Sequence, residues 1–251
     1  MREFRKDKLI IKVFETRNEL GKSAADAFQK NVQLILQEKL EANIIFAAAP
    51  SQNEFLNEII NLDIPWNKIN AFHMDEYVGL AEDVPQGFAD FLKQHLFKKV
   101  QFKSVHYLNG NSKDIKHECK RYANLLNKYP ADMVCLGIGE NTHLAFNDPH
   151  VADFFDKKVV KFVELDEDCR KQQVNDGCFK TLDEVPRFAI TVTIPALLKA
   201  RFISAVVPGQ QKAKAVYHTL HSEIMEKYPS TILRKHNNTT LYIDEQSASM
   251  S

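Results

Sequence analysis

The sequence predicts an α/β fold, a mostly parallel sheet covered on both faces by helices, and three observations carry that prediction. Short apolar runs bounded by charged or turn residues recur along the chain, as at Leu9 to Phe14 and Phe202 to Val207. Between them, apolar positions recur at three- and four-residue spacing, the signature of amphipathic helices. The apolar run Met133-Val134-Cys135-Leu136 then leads into Gly137-Ile138-Gly139 and a dense polar loop. Open α/β sheets present chemistry in this way, at the carboxyl ends of their strands.

Taken in order, Leu9 to Phe14 reads as the first strand. The next segment, Asn18 to Leu40, reads as a helix through Leu20, Ala24, Ala27, Phe28, Val32, Ile35 and Leu36. Asn43 to Ala48 is the second strand, turning at Ala49-Pro50-Ser51. Ser51 with Glu54 three residues on has the spacing of a capping box, opening a helix through Phe55, Leu56 and Ile59. Ile69 to Met74 is the third strand and ends at Asp75-Glu76. Pro85 and Gly87 punctuate the loop before a helix through Phe88, Phe91, Leu92 and Leu96, and Ser112 to Leu126 forms another. Lys158 to Glu164, Phe188 to Thr193 and Phe202 to Val207 read as strands. A helix begins near Gly209, and Thr240 to Ile243 is the final strand. No linker, repeat or low-complexity segment interrupts the pattern, so 1–251 reads as one domain.

Composition narrows the function. The 251 residues carry 33 basic and 33 acidic side chains, a formal net charge of zero. General nucleic-acid binding needs net or clustered positive charge to release counterions. The pairs Lys98-Lys99 and Lys157-Lys158 read as solvated faces. Cys119, Cys135, Cys169 and Cys178 have no C-x-x-C spacing and read as reduced thiols. No apolar stretch approaches the roughly 20 residues that span a bilayer. The amino terminus is charged and lacks the apolar run of a signal peptide. These features predict a cytoplasmic protein with neither membrane nor nucleic-acid partner.

Three constellations carry chemistry. Asp75 directly follows an apolar strand in His73-Met74-Asp75-Glu76-Tyr77-Val78-Gly79-Leu80. There it is placed either to solvate a loop or to act as general base at a strand tip, with Glu76 as a supporting or solvated neighbour. His143 follows the Gly-x-Gly turn and precedes Asp148 by five residues. A carboxylate near an imidazole fixes its tautomer and raises its basicity. A metal site would need convergent ligands, and no H-x-x-x-H or similar pair is present. Finally, Val206-Val207-Pro208-Gly209-Gln210-Gln211-Lys212 runs a strand into a glycine turn and places Lys212 in the first turn of a helix. Free N–H groups and a lysine there suit an anion. The turn at Ser51-Gln52 is a second helix start of that kind.

Together these segments resemble the glucosamine-6-phosphate deaminase/isomerase family. The resemblance rests on His73 to Leu80, Leu108-Asn109-Gly110-Asn111, the Gly137–Pro149 loop and Gly209-Gln210-Gln211-Lys212. It implies a modified doubly wound, Rossmann-like fold, and conversion of an aminosugar phosphate to fructose 6-phosphate and ammonia without metal or redox cofactor. By resemblance, Asp75 moves the proton from C2 to C1. His143, positioned by Asp148 and Asn141, assists ring opening, while Ser51, Gln52 and Lys212 hold the phosphate. Glu76 and Gly139 are further candidates for substrate contact. The chain departs from the family at Thr142, where glycine is usual, and at Asp148, which replaces glutamate and shortens the reach to His143. Gln172-Gln173-Val174-Asn175-Asp176 replaces a segment bearing a family arginine, for which Arg170 is the nearby substitute. The family contains monomers and homo-oligomers. The alternatives are a 6-phosphogluconolactonase-like hydrolase, which usually carries a different string after its histidine, and a non-catalytic sugar-phosphate-binding regulator.

Overall fold

The computed structural model describes residues 1–81 and 84–251. In chain order its elements are β1 (Arg2–Lys6), β2 (Leu9–Phe14), α1 (Arg17–Glu38), β3 (Ala42–Phe46), α2 (Asn53–Ile59), β4 (Ile69–His73), β5 (Asp75–Tyr77), α3 (Phe88–Leu92) and β6 (Ser104–His106). Then come α4 (Ile115–Lys128), β7 (Met133–Leu136), β8 (Val160–Glu164), α5 (Glu167–Asn175), β9 (Phe188–Val192), α6 (Ile194–Leu197), β10 (Phe202–Val207), α7 (Ala213–His221) and β11 (Thr239–Asp244).

Eight strands form one sheet in the order β1-β2-β11-β10-β7-β3-β4-β6. Every pairing is parallel except β1 with β2. The inner strands are apolar on both faces, as a doubly covered parallel sheet requires. In β7, Met133 and Cys135 pack into one core with Phe28, Phe46, Phe55 and Trp66, beneath α1 and α2. Val134 and Leu136 pack into the other, with Tyr122 of α4 and Val216 and Leu220 of α7. From β3 the chain builds outward through β4 and β6, then returns to lay β7 on the other side of β3. The strand order therefore reverses between β3 and β7, and the crevice at such a reversal is where open α/β sheets bind ligands.

Two expected strands leave the main sheet. Lys158 to Glu164 and Phe188 to Thr193 become β8 and β9, which pair antiparallel with β5 in a separate sheet ordered β5-β9-β8. This small sheet carries Asp75 on its edge strand. β1 has no apolar pattern because all five of its residues are exposed, and β6 is only three residues long.

The capping box expected at Ser51 and Glu54 does not form. Residues Pro50–Gln52 make a 3-10 turn with no side-chain cap, and Glu54 instead takes two hydrogen bonds from Arg17. A reciprocal box forms at the start of α1, between Thr16 and Glu19. Among the described residues, no helix is long and apolar enough to cross a membrane.

Candidate active site

The loops leaving β10, β7, β3 and β4 at their carboxyl ends surround one cleft, of about 1050 Å³ including its open mouth. Ala47 to Ser51 line it after β3, Met74 and Asp75 after β4, Gly137 to Gly139 and His143 after β7, and Lys212 after β10. Phe88 and Phe91 of α3 form one wall, and Gln172, Gln173 and Cys178 form another.

His143 sits in a hydrogen-bonded corner beneath the cleft floor. Its Nδ1 lies 2.7 Å from Asn141 Oδ1 and 3.1 Å from Asp148 Oδ1. Both partners accept, so Nδ1 carries a proton, and in the neutral tautomer that this selects Nε2 is the acceptor. The Asn141 amide in turn donates to Asp148 and to Asp166, and the Asp166 backbone N–H donates to Asp148 Oδ2. Burial pushes the Asp148 carboxyl up, but His143, the Asp166 N–H and Asn141 outweigh it and hold it below its ordinary value. Asp148 thus meets His143 directly, despite being one methylene shorter than a glutamate.

The ring lies flat against Gly139, where an added Cβ would collide with three of its atoms. Gly139 is therefore a steric requirement of His143's position. The polar loop also stores strain. Thr142 has a φ of 72°, in the left-handed region that a β-branched residue rarely adopts.

Asp75 and Glu76 are neighbours on β5 and so face opposite sides of it. Asp75 faces the cleft and is 6% exposed. Burial, and next the charge of Glu76, raise its pKa well above the usual carboxylate range. Behind it, His73 Nδ1 donates to the Asp75 carbonyl and His73 Nε2 accepts from the Leu108 N–H. Only neutral histidine satisfies both bonds, and burial lowers its pKa to about 4.

At the other end of the cleft, Lys212 is 6% exposed. Among the described residues its ammonium makes no hydrogen bond or ion pair. Burial lowers its pKa, opposed by the more distant Asp176 and Glu140. A buried cation without a partner is costly in isolation, so this geometry suits an anionic ligand. The turn that presents it depends on Gly209, whose φ of 97° favours glycine and whose N–H is held by Asp244.

Of the expected site residues, Ser51, Asp75, Gly139, His143 and Lys212 line this cleft, while Asn141 and Asp148 stand behind His143. Three are placed elsewhere. Glu76 points away, accepting from the backbone N–H groups of Tyr77, Phe88 and Ala89. Arg170 cannot substitute for a phosphate-binding arginine, because its guanidinium donates to the carbonyls of Leu182 and Val185. Gln52 is buried behind the turn, its amide donating to Ser51 Oγ and the Val206 carbonyl. It thereby ties the turn after β3 to β10. Sequence reasoning missed Asp166 and Asp244, which act on site residues from distant parts of the chain, and His73, which stands two residues before Asp75. Only His73 carried a signal, as part of the string around Asp75.

Among the described residues, two sets of side chains lie close enough to hold a metal ion, His143 with Asp148 and Cys169, and Asp148 with His150 and Asp166. The hydrogen bonds above already use His143 Nδ1 and both Asp148 oxygens. Burial first, then Asp148 and Asp166, drive the Cys169 thiol pKa well up. A metal needs the thiolate, so this donor set fits a proton network better than an ion.

Fold and cleft together define an α/β protein with an anion-seeking pocket at the sheet's switch point, fitted with a buried carboxylate and an oriented imidazole. The profile of the family "Glucosamine-6-phosphate isomerases/6-phosphogluconolactonase" matches residues 15–242, and the chain belongs to that family. It is 35% identical to a glucosamine-6-phosphate deaminase of Lactobacillus delbrueckii subsp. bulgaricus, over 96% of this chain and 98% of that protein. A glucosamine-6-phosphate deaminase of Streptococcus sanguinis is 33% identical, over 96% and 99%. Among solved structures, a monomeric glucosamine-6-phosphate deaminase superposes with a TM-score of 0.86 at 28% identity, covering 96% of this chain and 99% of that one. The 6-phosphogluconolactonase of Thermotoga maritima shares the fold, with a TM-score of 0.77 at 19% identity over 94% and 100%.

Proposed function

We propose that this chain is a metal-independent aminosugar-phosphate deaminase/isomerase. Its substrate is glucosamine 6-phosphate or its galacto-epimer, converted with water to the ketose 6-phosphate and ammonia. The observation that carries the reading is the convergence of three groups on one cleft: Asp75, a carboxylate made basic by burial; His143, an imidazole oriented through Nδ1; and Lys212, a buried ammonium without a protein partner among the described residues.

In this reading Lys212 and Ser51 hold the phosphate, which sets the length of sugar reaching the other end of the cleft. His143 Nε2 moves the proton between the anomeric hydroxyl and the ring oxygen, opening the pyranose to the aldehyde. The charge this places on the ring is shared with Asp148 and Asn141. Asp75 then takes the C2 proton, giving an enolamine, and returns it to C1. The product is a C2 imine, which water cleaves to ketone and ammonia. A raised carboxylate pKa improves the match between base and carbon acid. The single unit 1–251 carries the whole apparatus. Balanced charge and free cysteines support a cytoplasmic protein that binds a small sugar phosphate rather than nucleic acid.

The test is ammonia release from glucosamine 6-phosphate and galactosamine 6-phosphate side by side, with Asp75→Asn as the inactive control. Folded protein that releases none from either would overturn the reading.

A further inference from the structure

Glu76 is the residue whose geometry the reaction leaves unexplained. Its carboxylate is buried on the far side of β5 from the cleft, yet it is fully committed. One oxygen accepts from the Tyr77 and Phe88 N–H groups, at 3.0 and 3.1 Å, and the other from the Ala89 N–H at 2.8 Å. Phe88 and Ala89 are the first two residues of α3, whose own N-cap, Gly87, offers no side chain. The helix carries Phe88 and Phe91 into the cleft as its wall. Phe88 also stacks on Phe146, 5.3 Å between ring centroids, and packs against Tyr77 at 4.9 Å. The strand bearing the base and the helix bearing the wall are thus joined through one side chain.

We propose that Glu76 is a positioning residue: its two oxygens pin the aromatic wall of α3 to the strand that bears Asp75. The effect on turnover rests on the reading of Asp75 as base; the pinning stands on the hydrogen bonds alone.

Among the described residues, the titratable and charged groups around Glu76 are Tyr77 on its own strand, Asp90 on α3, and Lys93 and Tyr107 around the adjoining hollow; Asp75 precedes it on the opposite side of β5. Burial raises the Glu76 pKa to about 7, the three N–H groups oppose this, and Asp90 adds to it. Protonating Glu76 puts a hydroxyl where one of the N–H groups needs an acceptor.

Two variants test the pinning. Glu76→Gln keeps the size and one acceptor oxygen, removes the charge, and sets an NH2 against an N–H of α3. Glu76→Asp keeps the charge but is too short to reach α3. KM should rise about tenfold in both, since both release the wall. Unchanged KM in both variants, with only Tm lowered, would reduce Glu76 to a stabilising cap and overturn the proposal. Asp75→Asn run alongside tests the base separately: turnover in that variant would sink the base assignment whatever Glu76 does. In the wild type, hydrogen-exchange protection of the Phe88 and Ala89 amides, corrected for intrinsic rate, should fall as pH drops from 8 to 6. Protection independent of pH would count against the pinning action even if neither variant folds.

Discussion

Replacing Gly139 with alanine should disable the site by displacing one ring. The new Cβ would stand under 3.0 Å from three atoms of the His143 imidazole, where ordinary contact begins at 3.4 Å. The ring must therefore retreat by at least about 0.4 Å. The retreat runs across the ring plane whereas the bonds to Asn141 and Asp148 lie along it, so it bends both away from linearity more than it lengthens the 3.1 Å contact with Asp148. A full resolution of the clash moves the ring by about 1 Å, and a misplacement of that size costs roughly 10²-fold in rate. Loss of general acid–base help costs about 10²–10⁴-fold. Overpacking adds about 1–3 kcal/mol of destabilisation. We therefore expect kcat/KM for ammonia release to fall at least about 100-fold, with a cooperative melt shifted down by several degrees. The assay is coupled ammonia detection on glucosamine 6-phosphate, with circular dichroism to show the fold intact. A Gly139→Ala enzyme within threefold of wild type would refute the argument, because the ring could not then be where its chemistry requires.

Lys212→Met should raise KM for the sugar phosphate by about 10- to 100-fold, the worth of a charged hydrogen bond, while raising Tm, since the variant removes a buried charge that has no hydrogen-bond or ion-pair partner among the described residues. A lowered Tm with unchanged KM would place the anion elsewhere. Thr142→Gly relieves a left-handed backbone, worth about 1–2 kcal/mol, and removes a buried hydroxyl with no hydrogen-bond partner among the described residues. It gives up a buried methyl and adds backbone entropy, each about 1 kcal/mol. Chemical denaturation should show stability held or improved, and a loss of more than 2 kcal/mol would mean that the hydroxyl is satisfied. His73 has a folded pKa depressed to about 4 from 6.5, so the native state binds fewer protons than the unfolded state in that window. Its contribution is present above pH 6.5 and lost as pH falls to 4, roughly 3 kcal/mol in all. Glu76, with its raised pKa, has the opposite slope between 4.5 and about 7. The informative quantity is therefore the difference in stability between wild type and His73→Gln, which should shrink as the solution is acidified. A difference independent of pH would mean that His73 is protonated in the fold.

The amino-acid pattern alone determined most of the central sheet and where its chemistry gathers. Apolar runs such as Met133 to Leu136 are buried on both faces, and burial leaves a mark on every residue of such a strand. Gly137 and Gly139, the acid after β4 and the lysine after Gly209 are local signals, because each marks a strand end where the backbone must turn. Contacts between distant segments leave no such mark. Nothing in Lys158 to Glu164 or Phe188 to Thr193 distinguishes a strand of the main sheet from one of a separate antiparallel sheet, because partner choice depends on the whole topology. A capping box at Ser51 and Glu54 satisfies every local rule and still loses to Arg17, which α1 brings across from 37 positions away. For the same reason Arg170 is spent on the carbonyls of Leu182 and Val185, and Glu76 on α3. Side-chain identity states what a residue can bond to; only the folded chain decides which partner reaches it first.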